Sequence, residues 1–257
     1  MCRLFALRAD SPRSVFQPLW AAPNALARQS TEHPDGWGIA HLKANRIQVL
    51  RKAEAAHDSA AFRNRARDVR SELVVAHIRK ASVGSNTVVN THPFRHAGWV
   101  FAHNGTVRKF DERRRAVEKR IAPKLRSKLE GDTDSERCFL LFLTELGREA
   151  RGDVLERAGR ALARVAAYTR ETDPPGVPRP SVANFIATDG DALLALRYGK
   201  ALHVSAPGTT VLREGSTVRE LWISSEPTDR RGSWRKLAHG QGVALDRRMR
   251  LHRFQAS

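Results

Sequence analysis

Strand-length apolar runs lie towards both ends of this chain, and its two longest helix-period segments lie between them. Residues 74–79 (Val74-Val75-Ala76-His77-Ile78-Arg79) and 99–103 (Trp99-Val100-Phe101-Ala102-His103) are β-branched and aromatic runs bounded by turn formers, the pattern of buried strands. Ahead of them, residues 36–42 and 46–51 flank Lys43-Ala44-Asn45, which reads as a hairpin turn. Residues 58–70 place Phe62 and Val69 at helical spacing. Residues 134–148 place Phe139, Leu140, Phe142, Leu143 and Leu146 along a helix capped by Thr133 or Asp134, and 154–168 form another amphipathic helix. After the proline-rich stretch 171–180, strand-like runs return at 182–187, 192–197, 201–204 and 220–224. Strands, then helices, then strands predict an α+β layered fold rather than alternating βαβ units. The N-terminal strands need the C-terminal ones as partners, so residues 1–257 are expected to form a single domain, with the proline segment an excursion from it.

With 257 residues, 41% of them hydrophobic, the chain can bury a full core. No stretch approaches the ~20 apolar residues of a membrane span. The N-terminus has no basic region followed by an apolar run, so no secretory signal is expected. Two cysteines, Cys2 and Cys138, make no disulfide framework, and a reduced, cytoplasmic setting follows as the expectation. The net charge of +18 raises nucleic-acid binding as a hypothesis. Its densest stretch, residues 112–129, reads as a polar helical face interrupted at Pro123. No recognisable DNA- or RNA-binding motif accompanies it, so specific nucleic-acid binding is not expected. A non-catalytic polyanion-binding protein is the alternative from another class.

Cys2 carries the sharpest chemical hint. If the initiator methionine is removed, this residue presents a thiol together with a free α-amine. That amine has a reference pKa of ~7.7–8.0, so part of it can accept a proton near neutrality and activate the thiol. A Cys–His pair of the papain type would instead need an internal nucleophile on a helix, whereas Cys2 begins a strand. Cys138 falls in an apolar helical stripe and reads as a core thiol. His77, His92 and His103 lack metal-ligand spacing, and neither a metal nor another cofactor is expected.

Further segments give Cys2 company: His33-Pro34-Asp35-Gly36-Trp37-Gly38, Ala76-His77-Ile78-Arg79, Asn90-Thr91-His92-Pro93-Phe94, His103-Asn104-Gly105 and Asp132-Thr133-Asp134-Ser135-Glu136. With Met1-Cys2 they resemble, in order and over roughly the first 140 residues, the glutaminase domain of class II glutamine amidotransferases. These belong to the N-terminal-nucleophile hydrolases, and the resemblance is to the stand-alone, single-domain type. It implies a four-layer αββα sandwich of two antiparallel sheets. It also implies that Cys2 attacks the γ-amide carbonyl of glutamine, that Asn104 and Gly105 hold the oxyanion, and that Arg79 and Asp134 bind the substrate α-carboxylate and α-ammonium. His92, in the fourth motif, joins the substrate-contact candidates.

Two positions depart from the family pattern. Where many relatives carry Trp after the arginine and Thr two further on, this chain has Lys80 and Ser82. Ser82 keeps a hydroxyl for substrate contact, while Lys80 adds a charge that would favour a substrate with a distal anionic group. The chain has too few residues after the motifs for a synthase domain. It is therefore expected either to pass ammonia to a separate synthase partner or to act as a plain hydrolase on glutamine or a related γ-glutamyl compound. A γ-glutamyl hydrolase of the ergothioneine-biosynthesis branch is the nearest enzymatic alternative.

Overall fold

The computed structural model describes residues 2–209, 212–229 and 233–256. Two sheets form, with every strand pair antiparallel. The first is ordered β11 (Arg235–Lys236), β9 (His203–Ser205), β10 (Glu220–Ser224), β1 (Arg3–Ser14), β4 (Arg70–Ile78), β2 (Trp37–Lys43) and β3 (Arg46–Lys52). The second is ordered β13 (Leu251–Gln255), β12 (Gln241–Leu245), β8 (Leu193–Leu196), β7 (Val182–Thr188), β6 (Trp99–Thr106) and β5 (Phe94–His96).

The strand period of two sorts each strand's side chains into separate cores. In β1, Leu4 and Ala6 join Val75 of β4 and Val100, Ala102, Ile186 and Ala195 of the second sheet in a core between the sheets. Phe5 and Leu7 point the other way, into a core with Phe62, Trp37 and Ile78. That outer layer is supplied by α1 (Leu26–Gln29), α2 (Ala60–Asp68) and a π-helical turn at Gln17–Ala21. On the far face of the second sheet, α5 (Asp134–Arg148) and α6 (Val154–Glu171) bury Phe139, Phe142, Leu162 and Val165 against Phe101 and Phe185. The rings of Phe101 and Phe139 stack at 5.3 Å. The layers therefore run helix, sheet, sheet, helix, the expected αββα sandwich. Both sheets are covered on both faces, which is why β4 and β7 read as continuous apolar runs rather than alternating ones.

Local signals hold in most places. Ala44 and Asn45 both have positive φ (47° and 58°), the backbone of a two-residue turn whose twist matches its flanking strands. Thr133 caps α5, its hydroxyl accepting from the Glu136 N–H. The basic stretch splits as Pro123 predicts, into α3 (Phe110–Arg120) and α4 (Pro123–Arg126), because a proline suits a first helical position and no interior one. The short strands β5, β12 and β13 carry no comparable sequence signal.

Candidate active site

Cys2, Leu4 and Ala6 lie on one parity of β1, the face towards the second sheet. On β6 the residues of the intersheet face are Val100 and Ala102, so Asn104 continues that face while His103 points to the helical side. Strand parity alone thus sets Cys2 and Asn104 on facing sides of the two sheets, at one end of the sandwich.

The Cys2 thiol is 8% exposed and sits where the chain after β4 turns. Its Sγ donates to the Lys80 carbonyl at 3.5 Å and accepts from the Lys80 N–H at 3.4 Å. Lys80 therefore contacts the Cys2 thiol through its backbone, while its side chain is exposed. Burial pushes the thiol above its usual value of 9.0, opposed by the Lys80 N–H and the Arg79 charge and reinforced by Asp134. A thiol held neutral in this way needs a base to become a nucleophile.

The turn 33–38 fixes this corner. Gly36 accepts from the Arg79 N–H at 2.7 Å, Asp35 N–H donates to the Arg79 carbonyl, and the Asp35 carboxylate accepts from Ala81 N–H at 2.8 Å. Asp35 is thus a turn-stabilising residue. Arg79 is buried, and its guanidinium donates to the carbonyls of Val83 and Gly84 and to Asn86 Oδ1, each at 3.2 Å. Ser82 is exposed and shares a hydrogen bond with Thr106 Oγ1 at 2.9 Å, joining the loop after β4 to the end of β6.

Asp134 lies at the first turn of α5. Its carboxylate accepts from Val107 N–H at 2.7 Å and from the Ser135 hydroxyl at 3.1 Å, so it ties the helix start to the strand carrying Asn104 and Gly105. Gly105 faces the β7 backbone closely: a β-carbon there would lie 1.8 Å from the Val182 carbonyl oxygen and 2.2 Å from His103 Nε2. Only glycine fits.

His92 lies in the segment between β4 and β5. Its ring is buried and packs on His77 at 4.2 Å and on Phe94 at 4.5 Å, with neither ring nitrogen hydrogen-bonded among the described residues. Burial first, and then the neighbouring histidines, hold its imidazole neutral. Among the described residues no cluster of three His, Cys, Asp or Glu side chains could hold a metal ion. Cys138 is buried in the helical core, and its thiol is pushed well above 9.0 by that burial.

The sequence model of the class II glutamine amidotransferases matches residues 1–214. The chain belongs to this family. A protein of Saccharomyces cerevisiae described as "Probable glutamine amidotransferase" is 25% identical over 280 residues, spanning 91% of this chain and 78% of its own length. A "Gamma-glutamyl-hercynylcysteine sulfoxide hydrolase" of Mycobacterium tuberculosis is 26% identical over 205 residues, spanning 78% of this chain and 70% of its own length. The solved structure of a "glutamine aminotransferase class-II domain protein" from Silicibacter pomeroyi shares the fold, with a TM-score of 0.68 at 23% identity over the whole of both chains. No helix of the described residues is long and apolar enough to cross a membrane.

Two residues outside the sequence reading organise the site. Ser225, just past β10, is buried. Its hydroxyl accepts from Asn104 Nδ2 at 2.9 Å and from Leu4 N–H at 3.0 Å, linking the amide on β6 to the strand that starts at Cys2. No spacing signal connects Ser225 to a motif 120 residues earlier. Asn90, present in a motif but given no role there, accepts from Asp132 N–H at 3.0 Å. It also donates to the Asp132 carboxylate and to the Ser85 carbonyl. It joins the loop that holds Arg79 to the start of the helix that carries Asp134.

Proposed function

We propose that residues 1–257 act as one amidotransferase-type domain that cleaves a γ-glutamyl amide through a thioester at Cys2. With Met1 removed, the α-amine of Cys2 takes the thiol proton as Sγ attacks the γ-carbonyl carbon. The oxyanion that forms is held by Asn104 Nδ2–H and the Gly105 N–H. The same ammonium returns its proton to the leaving nitrogen, the C–N bond breaks, and ammonia or an amine departs. Water then attacks the thioester carbonyl, releasing glutamate and restoring the thiol. Arg79 pairs with the substrate α-carboxylate, Asp134 accepts from its α-ammonium, and Ser82 and Lys80 form the exposed side of the pocket. His92, its ring tilted against that of His77, is assigned to the wall behind it rather than to the substrate.

The observation that supports this reading most strongly is a buried, neutral thiol facing Asn104 from the opposite sheet, within a member of this family. Substrates with an amine leaving group stay open, since one relative is named as a γ-glutamyl hydrolase. Any ammonia formed passes to a separate synthase or to solvent.

The test is a screen of γ-glutamyl compounds, glutamine included, for glutamate release by wild type and Cys2→Ala. Wild type is expected to release glutamate and the variant, still folded by circular dichroism, to release none. Release that persists in Cys2→Ala refutes the proposed chemistry. Comparing glutamine with acidic γ-glutamyl derivatives in Lys80→Ala tests the charge preference, and an unchanged ratio discards it.

A further inference from the structure

The same end of the sandwich carries a second concavity whose chemistry the glutaminase reading does not use. It has a volume of about 570 Å³ and is lined by Arg108, Arg170, Arg179, Arg197, Lys200 and His239. Five elements position these groups. Arg108 follows β6, Arg170 ends α6, Arg179 and Ser181 precede β7, and Arg197 and Lys200 follow β8, with His239 just ahead of β12. Asn104 and Gly105 lie within the last three residues of β6, and Arg108 N–H donates to Ser181 Oγ at 2.9 Å beside them. The cavity therefore neighbours the Cys2 site without sharing its residues.

Among the described residues no carboxylate lines this cavity. Glu171, beside Arg170 in the sequence, is exposed and outside the lining, and Asp173 pairs with Arg113 at 2.9 Å and accepts from Ser181 N–H at 2.6 Å. Arg108 Nε is buried with no hydrogen-bond partner among the described residues. Arg197 is fixed rather than solvated: Nε donates to the Lys200 carbonyl at 2.9 Å and Nη1 to the Leu237 carbonyl at 2.5 Å. Arg170 lies over the Tyr198 ring at 5.7 Å and within 3.1 Å of His239 Nε2, and the His239 and Tyr198 rings pack at 4.7 Å. The His239 imidazole sits below its usual 6.5, first through partial burial and then through repulsion from Arg170 and Arg197. Converging, uncompensated cations held by packing are costly unless a counter-charge shares the space.

We propose that this cavity binds a small molecule carrying two or more phosphate groups. Planar guanidinium forks from separate elements suit phosphate oxygens, and the volume falls in the range of small-ligand pockets rather than of an extended nucleic-acid groove. The site is separate from Cys2 chemistry, so Cys2→Ala protein is expected to bind as wild type does.

The test is titration calorimetry of the full chain with tripolyphosphate at fixed ionic strength. It compares wild type with an Arg179→Ala/Lys200→Ala double variant, both positions being exposed. A charge-matched control removes two exposed cations on the opposite helical layer, Arg28→Ala/Arg67→Ala. Saturable one-to-one binding is expected, weakened about tenfold or more in the pocket variant and about twofold or less in the control. The NMR titration of His239, flanked by Arg170, Arg197 and Tyr198, is expected to move upward when tripolyphosphate is bound, because an anion favours the imidazolium. Absence of saturable binding, or equal weakening in both double variants, overturns the proposal. Tighter binding of a short single-stranded oligonucleotide than of tripolyphosphate, lost in the pocket variant, overturns the small-molecule assignment.

Discussion

Asn104 has two hydrogens on Nδ2; Ser225 Oγ takes one, and the proposed mechanism assigns the other to the reacting oxygen. On this account the serine does no chemistry; it aims the amide and anchors it to Leu4, two residues from the nucleophile. Replacing Asn104 by Ala is expected to lower glutamate turnover by ~10²–10³, the cost of one oxyanion donor. Ser225→Ala, which removes only the anchor, is expected to lower kcat by about tenfold while KM stays within about twofold. Steady-state kinetics of both variants decide the matter: a Ser225→Ala enzyme that loses KM alone assigns the hydroxyl to substrate binding instead. The sequence exposes Asn104, because His103-Asn104-Gly105 is a local string. It hides Ser225, whose meaning comes only from β10 pairing with β1 in the register Phe5 to Ser224.

Among elements, α5 shows why some features could be read from sequence and others could not. Its cap, apolar stripe and first-turn acids lie within fifteen residues, so cap and stripe predict a helix that the structure contains. The reach of Glu136 was not legible. Its carboxylate turns back to accept from the N–H groups of Glu130 at 2.9 Å and Gly131 at 3.0 Å, past the cap, and Arg137 donates to it at 3.0 Å. Removing the cap hydroxyl with Thr133→Ala is expected to cost about 1 kcal/mol, measured by urea unfolding. Because α5 also holds Asp134, the same variant is expected to raise KM for the γ-glutamyl substrate more than it lowers kcat. A loss of stability with unchanged KM would detach the helix start from substrate binding. Strands β12 and β13 carry no strand signal, because Gly242 interrupts one and His252, Arg253 and Gln255 leave the other without an apolar period, so only pairing within the second sheet reveals them.

Across the whole molecule, the burial of His77 shapes the response to acid. His77 lies fully buried between the sheet and His92, and burial lowers it from 6.5 to about 3. In the unfolded chain the same imidazole takes up a proton below its ordinary value. Between pH 6.5 and about 3 the unfolded state therefore binds more protons than the folded one, and stability falls as pH falls through that window. Above 6.5 both states are neutral at this residue and the effect vanishes. Thermal unfolding from pH 8 to pH 4 is expected to show a falling midpoint below pH 6.5, and a smaller fall in His77→Gln. An identical pH profile in the variant would place the acid sensitivity elsewhere. The layered α+β class was legible at this scale because element order alone dictates it. The facing of Cys2 and Asn104 was not, since it depends on which parity of two distant strands meets in one core.

Cys2, freed of Met1, is the proposed nucleophile towards a glutamine-like carbonyl. Its most direct test is exposure of the protein to a glutamine-like diazo-ketone, followed by intact mass and peptide mapping. The expected result is a chain beginning at Cys2 with one adduct on that residue and none on Cys138. An adduct elsewhere, or full glutamate release by protein that retains Met1, would contradict it.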